Sequence, residues 1–340
     1  MTALTSPAAG GSDGPARKSF VAEQLGRHHF LLRRLHSLTG IVPVGLFTIG
    51  HLFTNAQMIW GQDAEGNSSF QHEVDFIHNL PFLLFIEIGI WSAIAFHAGL
   101  GLFYTFSGKG NLKSYSYGDN VRYMLQRATG LIALVFIFFH IATLRWRWDI
   151  LGIWDTPFYA RGYQVPGMTE TAGGVLDKAP LSVPLTAYAL QYSAWVALFY
   201  LIGVVAVVFH WANGLWTAAI SWGLTISVGS MRKWGYACVG LFVALMLFFA
   251  SAFVGSLKFD FDTMTAEQKA ATLLTVGPLD GQWAFQDQEG LKNDLASLGM
   301  EWVLVMDEPE DANEERPVIE PTDTNASDSE ADAKPDALDH

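Results

Sequence analysis

Cysteine and charged residues are both scarce in this chain. Its 340 residues include one cysteine, Cys238, so neither an internal disulfide nor a thiolate metal cluster can form. Charged residues make up 16% of the chain and hydrophobic residues 51%, whereas soluble proteins are about 25% charged. This composition excludes a nucleic-acid-binding protein that works through a basic surface, and it argues against a large soluble enzyme.

Long stretches without Asp, Glu, Lys or Arg predict membrane-spanning helices, which need about 20 apolar residues each. We expect an all-α membrane protein, an antiparallel up-down bundle of five transmembrane helices at about 37–60, 82–107, 124–145, 192–222 and 234–256. The charge-free run Ala179–Met231 exceeds one helix, so we expect it to begin with a proline-containing loop that ends near Tyr192.

The segments outside these helices differ in composition. Residues 1–36 are expected to form a cytoplasmic N-terminal segment, and its first 27 residues are polar and lack the hydrophobic core of a cleavable signal peptide. Residues 257–300 are expected to form a modest extracytoplasmic segment, partly helical from Thr265 to Leu274. Residues 301–340 contain 14 acidic and two basic side chains, so they carry −12 of the net charge of −13. This acidic tail is predicted to be disordered.

The distribution of Lys and Arg predicts the orientation, because basic residues concentrate in cytoplasmic loops. The first loop, 61–81, has none. Arg145 and Arg147, after the third helix, argue weakly in the other direction. Five basic residues precede the first helix: Arg17, Lys18, Arg27, Arg33 and Arg34. We expect the N-terminus in the cytoplasm and the C-terminus outside the membrane.

Four histidines lie deep in the predicted spans, one in each of the first four helices: His51, His97, His140 and His210. Each follows the start of its helix by about 14 to 18 residues, or roughly 21 to 27 Å. Because neighbouring helices run in opposite directions, we expect His97 and His210 to form an inner pair and His51 and His140 an outer pair. Histidines within a membrane are functional by default.

Haem fits such pairs better than a bare metal ion does. A bare divalent ion would also require a carboxylate, a cysteine or a third histidine at the same depth. Haem needs only two axial ligands and binds in apolar pockets. No Cys-x-x-Cys-His motif occurs, so the two haems would be held noncovalently. The depths predict irons separated by roughly 15 Å in height.

A non-redox alternative is a proton-coupled transporter with intramembrane histidine relays. Such transporters are built from inverted repeats with interrupted helices, and neither feature is apparent in this sequence.

A set of short motifs gives the chain a family resemblance over roughly residues 28–256. The chain resembles the single-chain dihaem cytochrome b anchors of succinate:menaquinone oxidoreductases and fumarate reductases. The motifs are Arg33-Arg34-Leu35-His36-Ser37-Leu38-Thr39-Gly40, His51-Leu52, Phe96-His97-Ala98-Gly99-Leu100-Gly101, Leu125-Gln126-Arg127-Ala128-Thr129-Gly130, Phe139-His140, and Phe209-His210-Trp211-Ala212-Asn213-Gly214.

The resemblance implies a complex with a flavoprotein that carries covalent FAD and with an iron–sulfur subunit, both on the cytoplasmic face. Electrons from succinate would pass to the inner haem, then to the outer haem, and then to menaquinone, or in reverse during fumarate reduction. The chain itself would contain no dicarboxylate site. A related alternative is a dihaem cytochrome b of another dehydrogenase, such as a hydrogenase or a formate dehydrogenase.

Polar residues near the helix ends are candidates for contacts with the cofactors. Glu87, about one turn into the second helix, is the candidate for proton handling at the quinone site. Anionic haem propionates would bind basic and hydrogen-bonding side chains near the inner membrane edge. The candidates for that role are Arg33, Arg34, His36, Ser37, Arg127 and Asn213.

Overall fold

The computed structural model describes residues 28–108, 117–144, 146, 180–276 and 283–298. All regular structure within these residues is helical, which confirms the all-α class. Five helices are long and apolar enough to cross a membrane, as predicted: α1 (His29–Trp60), α3 (Leu83–Ser107), α4 (Gly118–Leu144), α6 (Ala194–Ser221) and α7 (Val228–Lys258). Four shorter helices are α2 (Ser69–His78), α5 (Ser182–Tyr192), α8 (Ala266–Val276) and α9 (Gln288–Ser297).

Three of the spanning helices begin earlier than the sequence predicts. Helix α1 begins at His29, α4 at Gly118 and α7 at Val228, rather than near residues 37, 124 and 234. Counting apolar residues measures only the part of a helix in hydrocarbon, whereas backbone hydrogen bonds extend each helix through a further polar stretch. Arg33 and Arg34 therefore lie on α1 itself. Most of the N-terminal segment and the whole acidic tail fall outside the described residues.

Helix α1 contains an irregular turn before its middle. Residues Gly40–Val44 form a π-helical turn that includes Pro43. Proline has no N–H group and cannot donate to the carbonyl four residues earlier, so the backbone widens locally. Such turns are frequent at functional sites.

The described residues belong to two compact units. The first contains parts of Met1–Thr48, Leu84–Gly130 and Phe209–Leu241. The second contains parts of Ile49–Leu83, Leu131–Val208 and Phe242–His340. His97 and His210 belong to the first unit, and His51 and His140 to the second.

A hydrophobic core built mainly by the short helices stabilises the second unit. Helices α2, α5, α8 and α9 contribute buried side chains to it, among them Phe70, Tyr188, Leu273 and Leu291. The fully buried side chain of Gln268 donates to the Pro180 carbonyl (2.7 Å) and exchanges hydrogen bonds with the Gln62 amide (3.0 and 3.1 Å). This glutamine thereby joins three chain segments that are distant in sequence.

The prediction of a loop that ends near Tyr192 is wrong, because α5 occupies Ser182–Tyr192. Pro184 lies in the first turn of α5, where an N–H group would have no intrahelical acceptor. Most of this helix is buried, including Val183 and Ala187 in the core just described. The helix predicted from Thr265 to Leu274 is present as α8.

We expect Gly255→Ala to destabilise the protein by about 1–3 kcal/mol, the usual cost of overpacking. A Cβ atom at Gly255 of α7 would overlap the backbone carbonyl group of Met58, which cannot rotate away. Thermal unfolding of the purified protein in detergent would measure this effect. Gly240→Ala is the matched control, since a Cβ atom at Gly240 meets nothing within 4 Å. An equal or smaller melting-temperature decrease for Gly255→Ala than for Gly240→Ala would contradict this account of the packing.

Candidate metal centres

The four deep histidines lie in two pairs. The ring centroids of His97 and His210 are 6.0 Å apart in the first unit. Those of His51 and His140 are 5.8 Å apart in the second unit. Two imidazoles that bind one ion from opposite sides would have centroids about 6 Å apart, because each nitrogen lies about 2.0 Å from the metal. Both separations match this value.

His97 of the inner pair is held by the backbone of α1. Its Nδ1 donates to the carbonyl oxygen of His36 at 2.8 Å. A carbonyl only accepts, so Nδ1 carries the proton and Nε2 presents its lone pair. The ring occupies the space that a Cβ atom would take at Gly40, whose own N–H group donates to the same His36 carbonyl.

His210 is held in the same way by α4. Its Nδ1 donates to the carbonyl oxygen of Gln126 at 3.0 Å, and its ring lies where a Cβ atom of Gly130 would be. In both cases the acceptor carbonyl precedes the glycine by four residues, which is one turn of helix. A residue with a side chain at either glycine would push the imidazole away from its acceptor.

The outer pair has a different partner. His140 Nδ1 lies 3.1 Å from the hydroxyl oxygen of Tyr200 on α6, and its ring stacks on Phe136 at 5.6 Å. Asn55 donates to the His51 carbonyl oxygen at 2.7 Å, one turn farther along α1. A tyrosine hydroxyl accepts as well as donates, so this arrangement also allows His140 to present Nε2.

Several buried polar atoms of the first unit have no hydrogen-bond partner among the described residues. They include Arg34 Nε, His36 Nδ1, Tyr104 OH, Arg127 Nη1 and Trp211 Nε1. The His36 ring stacks on His97 at 4.0 Å and meets the edge of Tyr104 at 5.7 Å, so this cluster reaches the inner pair. Buried donors are normally satisfied. Anionic carboxylates such as haem propionates would accept hydrogen bonds from these buried groups.

The other predicted propionate contacts already have partners in the protein. Arg33 lies over the Tyr104 ring at 5.5 Å. The Ser37 hydroxyl donates to the Arg34 carbonyl and accepts from Trp222 Nε1, both at 2.9 Å. Asn213 Oδ1 accepts from Arg122, and its Nδ2 donates to Gln126.

The last two predicted site residues are Arg127, which lies on α4, and Glu87, which lies on α3. Arg127 Nη2 donates to the carbonyl oxygens of Thr105 and Gly108, which leaves Nη1 unpaired among the described residues. Glu87 is half-buried, one turn from the start of α3 at Leu83.

Sequence reasoning missed five contributors to these sites: Tyr104, Arg122, Gln126 as a hydrogen-bond partner, Tyr200 and Trp211. A signal existed for Tyr104, which follows His97 by seven residues and so shares its helix face. Tyr200 is a polar group within a long apolar run, which was a weaker signal. No spacing in the sequence identifies the carbonyl that a given histidine contacts.

The donor set suits a cofactor that brings its own equatorial ligands. Within the described ranges no group of three or more His, Cys, Asp or Glu side chains is placed to hold a metal ion. Two imidazoles that bind through Nε2 are the axial set of a b-type haem. The residues present therefore fit haem.

We expect Gly130→Ala to remove or weaken haem at the inner pair, because the new methyl group would overlap the His210 ring. Haem per purified chain, measured as pyridine haemochrome, should decrease towards one. Gly99→Ala is the control, since a Cβ atom at Gly99 meets nothing within 4 Å. Normal content and an unchanged spectrum in Gly130→Ala would show that this close approach is not needed.

Comparison with known proteins identifies a relative of this chain. Over 231 residues the chain is 32% identical to the succinate dehydrogenase cytochrome b558 subunit of Bacillus subtilis (strain 168). The match covers 68% of this chain and 95% of that protein. No family model matches the chain. No solved structure matches it either.

Proposed function

Since the chain belongs to the family of succinate dehydrogenase cytochrome b subunits, we propose that it transfers electrons between the iron–sulfur subunit and menaquinone through two b haems. The single observation that supports this most is the pairing of four histidines within hydrocarbon-length helices, with ring separations of 5.8 and 6.0 Å. The family assignment removes the support for a histidine-relay transporter or a cytochrome of another dehydrogenase.

In this proposal the chain's residues have three tasks. His97 and His210 hold the inner haem, and His51 and His140 hold the outer one. The propionates of the inner haem accept hydrogen bonds from Arg34, His36, Tyr104, Arg127 and Trp211, each of which has a buried polar atom without a partner among the described residues. Arg33 and Ser37 support Tyr104 and Arg34 through their own contacts. Asn213 instead contacts Arg122 and Gln126. When bound, each haem iron would accept and release one electron.

Menaquinone reduction consumes two protons, so a protonatable group is needed near the quinone. Glu87 remains the candidate, because it is a carboxylate on a spanning helix and is only half exposed. Succinate oxidation itself would take place in the flavoprotein partner. In this proposal the flavoprotein and the iron–sulfur subunit bind on the cytoplasmic side, where the N-terminus of this chain is expected to lie.

The test is purification of the chain with its partner subunits from a membrane extract. We expect two b haems per chain, both reduced by succinate, together with succinate-dependent menaquinone reduction. Absence of haem, or one haem per chain, would contradict the proposal. Haem that dithionite reduces but succinate does not would contradict the assigned electron path.

We expect Glu87→Gln to slow menaquinone reduction by about tenfold or more, because a general acid or base is lost. Succinate oxidation by a dye that accepts electrons from the partner subunits should be unchanged, as should the haem spectra. Glu73→Gln, which neutralises a carboxylate on α2, is the control. A larger decrease for Glu73→Gln than for Glu87→Gln would reject this role for Glu87.

A further inference from the structure

A chain of hydrogen bonds leads from a cation to the inner histidine His210. Arg122 of α4 donates through Nε (3.1 Å) and Nη2 (2.8 Å) to the side-chain oxygen of Asn213. Asn213 Nδ2 donates to Gln126 Oε1 at 2.7 Å. Gln126 Nε2 donates to the backbone carbonyl oxygen of His210 at 3.0 Å and lies 3.4 Å from His210 Nε2.

The Arg122 cation fixes the orientation of both side-chain amides in this series of hydrogen bonds. A guanidinium group has only donors, so Asn213 must turn its oxygen towards Arg122 and its NH2 group towards Gln126. Gln126 must then turn its oxygen towards Asn213 and its NH2 group towards His210. Amide orientations are often ambiguous, but here each follows from the donor-only group at the start.

Packing holds this series of hydrogen bonds in place. Asn213 is buried, with 6% of its surface exposed. The Arg122 guanidinium lies 3.8 Å from the centroid of the Trp216 ring, in cation–π contact. Among the described residues, no carboxylate is in ion-pair contact with Arg122.

Gln126 acts on His210 at two points. Its backbone carbonyl accepts the Nδ1 proton, and its side-chain amide reaches the His210 backbone on the neighbouring helix. Fixing Gln126 therefore fixes both the rotation of the imidazole and the position of α6 at that level. Groups that orient a ligand in this way tune the centre it binds.

We propose that Arg122, Asn213 and Gln126 are positioning residues that orient His210 and raise the reduction potential of the inner haem. This inference rests on the proposed function, in which His210 binds a haem iron. The oxidised haem carries one more positive charge than the reduced haem, so a nearby cation favours the reduced form.

Redox titration of the purified complex, followed optically, tests the effect of the charge. Arg122→Gln should lower the reduction equilibrium constant of the inner haem by about tenfold, which corresponds to about 59 mV for one electron. Arg122→Lys keeps the charge and should restore at least half of that shift. The outer haem should keep its potential in both variants.

Electron paramagnetic resonance of the oxidised haems tests the effect on orientation. Asn213→Leu removes the hydrogen bond to the Gln126 side chain and should change the largest g value of the inner haem. The outer haem should keep its signal. Asn213→Asp provides a second test with little change in shape, because it still accepts from Arg122 but has no NH2 group to donate to Gln126. Thr217→Val is the control on α6, since the Thr217 hydroxyl donates to the Gly214 carbonyl of its own helix.

Two normal haems with unchanged potential and signal in Arg122→Gln, Asn213→Leu and Asn213→Asp would overturn the inference. An equal change of potential or g value in Thr217→Val would overturn it as well, as would equal changes for both haems. A wild-type chain without haem, or a His210→Ala variant that keeps both haems, would instead refute the proposed function.

Discussion

An imidazole that offers Nε2 to an iron must place its Nδ1 proton on an acceptor, and a hydrocarbon layer provides no water for this purpose. The inner histidines use the helix backbone instead: His97 donates to the His36 carbonyl and His210 to the Gln126 carbonyl. These carbonyls already belong to helical turns, so each imidazole can reach its acceptor only where the next turn carries no side chain. Gly40 and Gly130 meet that requirement. The close contacts of α1 with α3, and of α4 with α6, in the first unit depend on this arrangement.

The outer pair meets the same requirement with a side chain. The Tyr200 hydroxyl lies beside His140 Nδ1, and Phe136 supports the ring by stacking. This pair shares its unit with the core of α2, α5, α8 and α9, in which Gln268 joins segments from three parts of the sequence. The two pairs therefore differ in their supports: backbone carbonyls and glycines hold one, while a hydroxyl and aromatic side chains hold the other.

Much of this arrangement could be predicted from the sequence because hydrocarbon imposes simple rules. Runs without charge located five spanning helices, and helix depth paired His97 with His210 and His51 with His140. Helix ends were less predictable, since polar residues such as Arg33 continue a helix beyond the apolar run. Helix α5 was not predicted because Pro184, within a charge-free stretch, suggests a loop. The burial of α5 against residues distant in sequence favours the helix, and local sequence does not show that burial. The partners of the histidines, such as Tyr200 and the Gln126 carbonyl, depend on helix rotation, which composition does not encode.

The central claim is that each histidine pair holds one haem, and haem content in double variants tests it most directly. Replacing both members of one pair, as in His51→Ala with His140→Ala, should leave one haem per chain. Replacing one member of each pair, as in His51→Ala with His97→Ala, should leave none, although the number of histidines removed is the same. Equal haem content in these two purified double variants, measured as pyridine haemochrome per chain, would contradict the pairing.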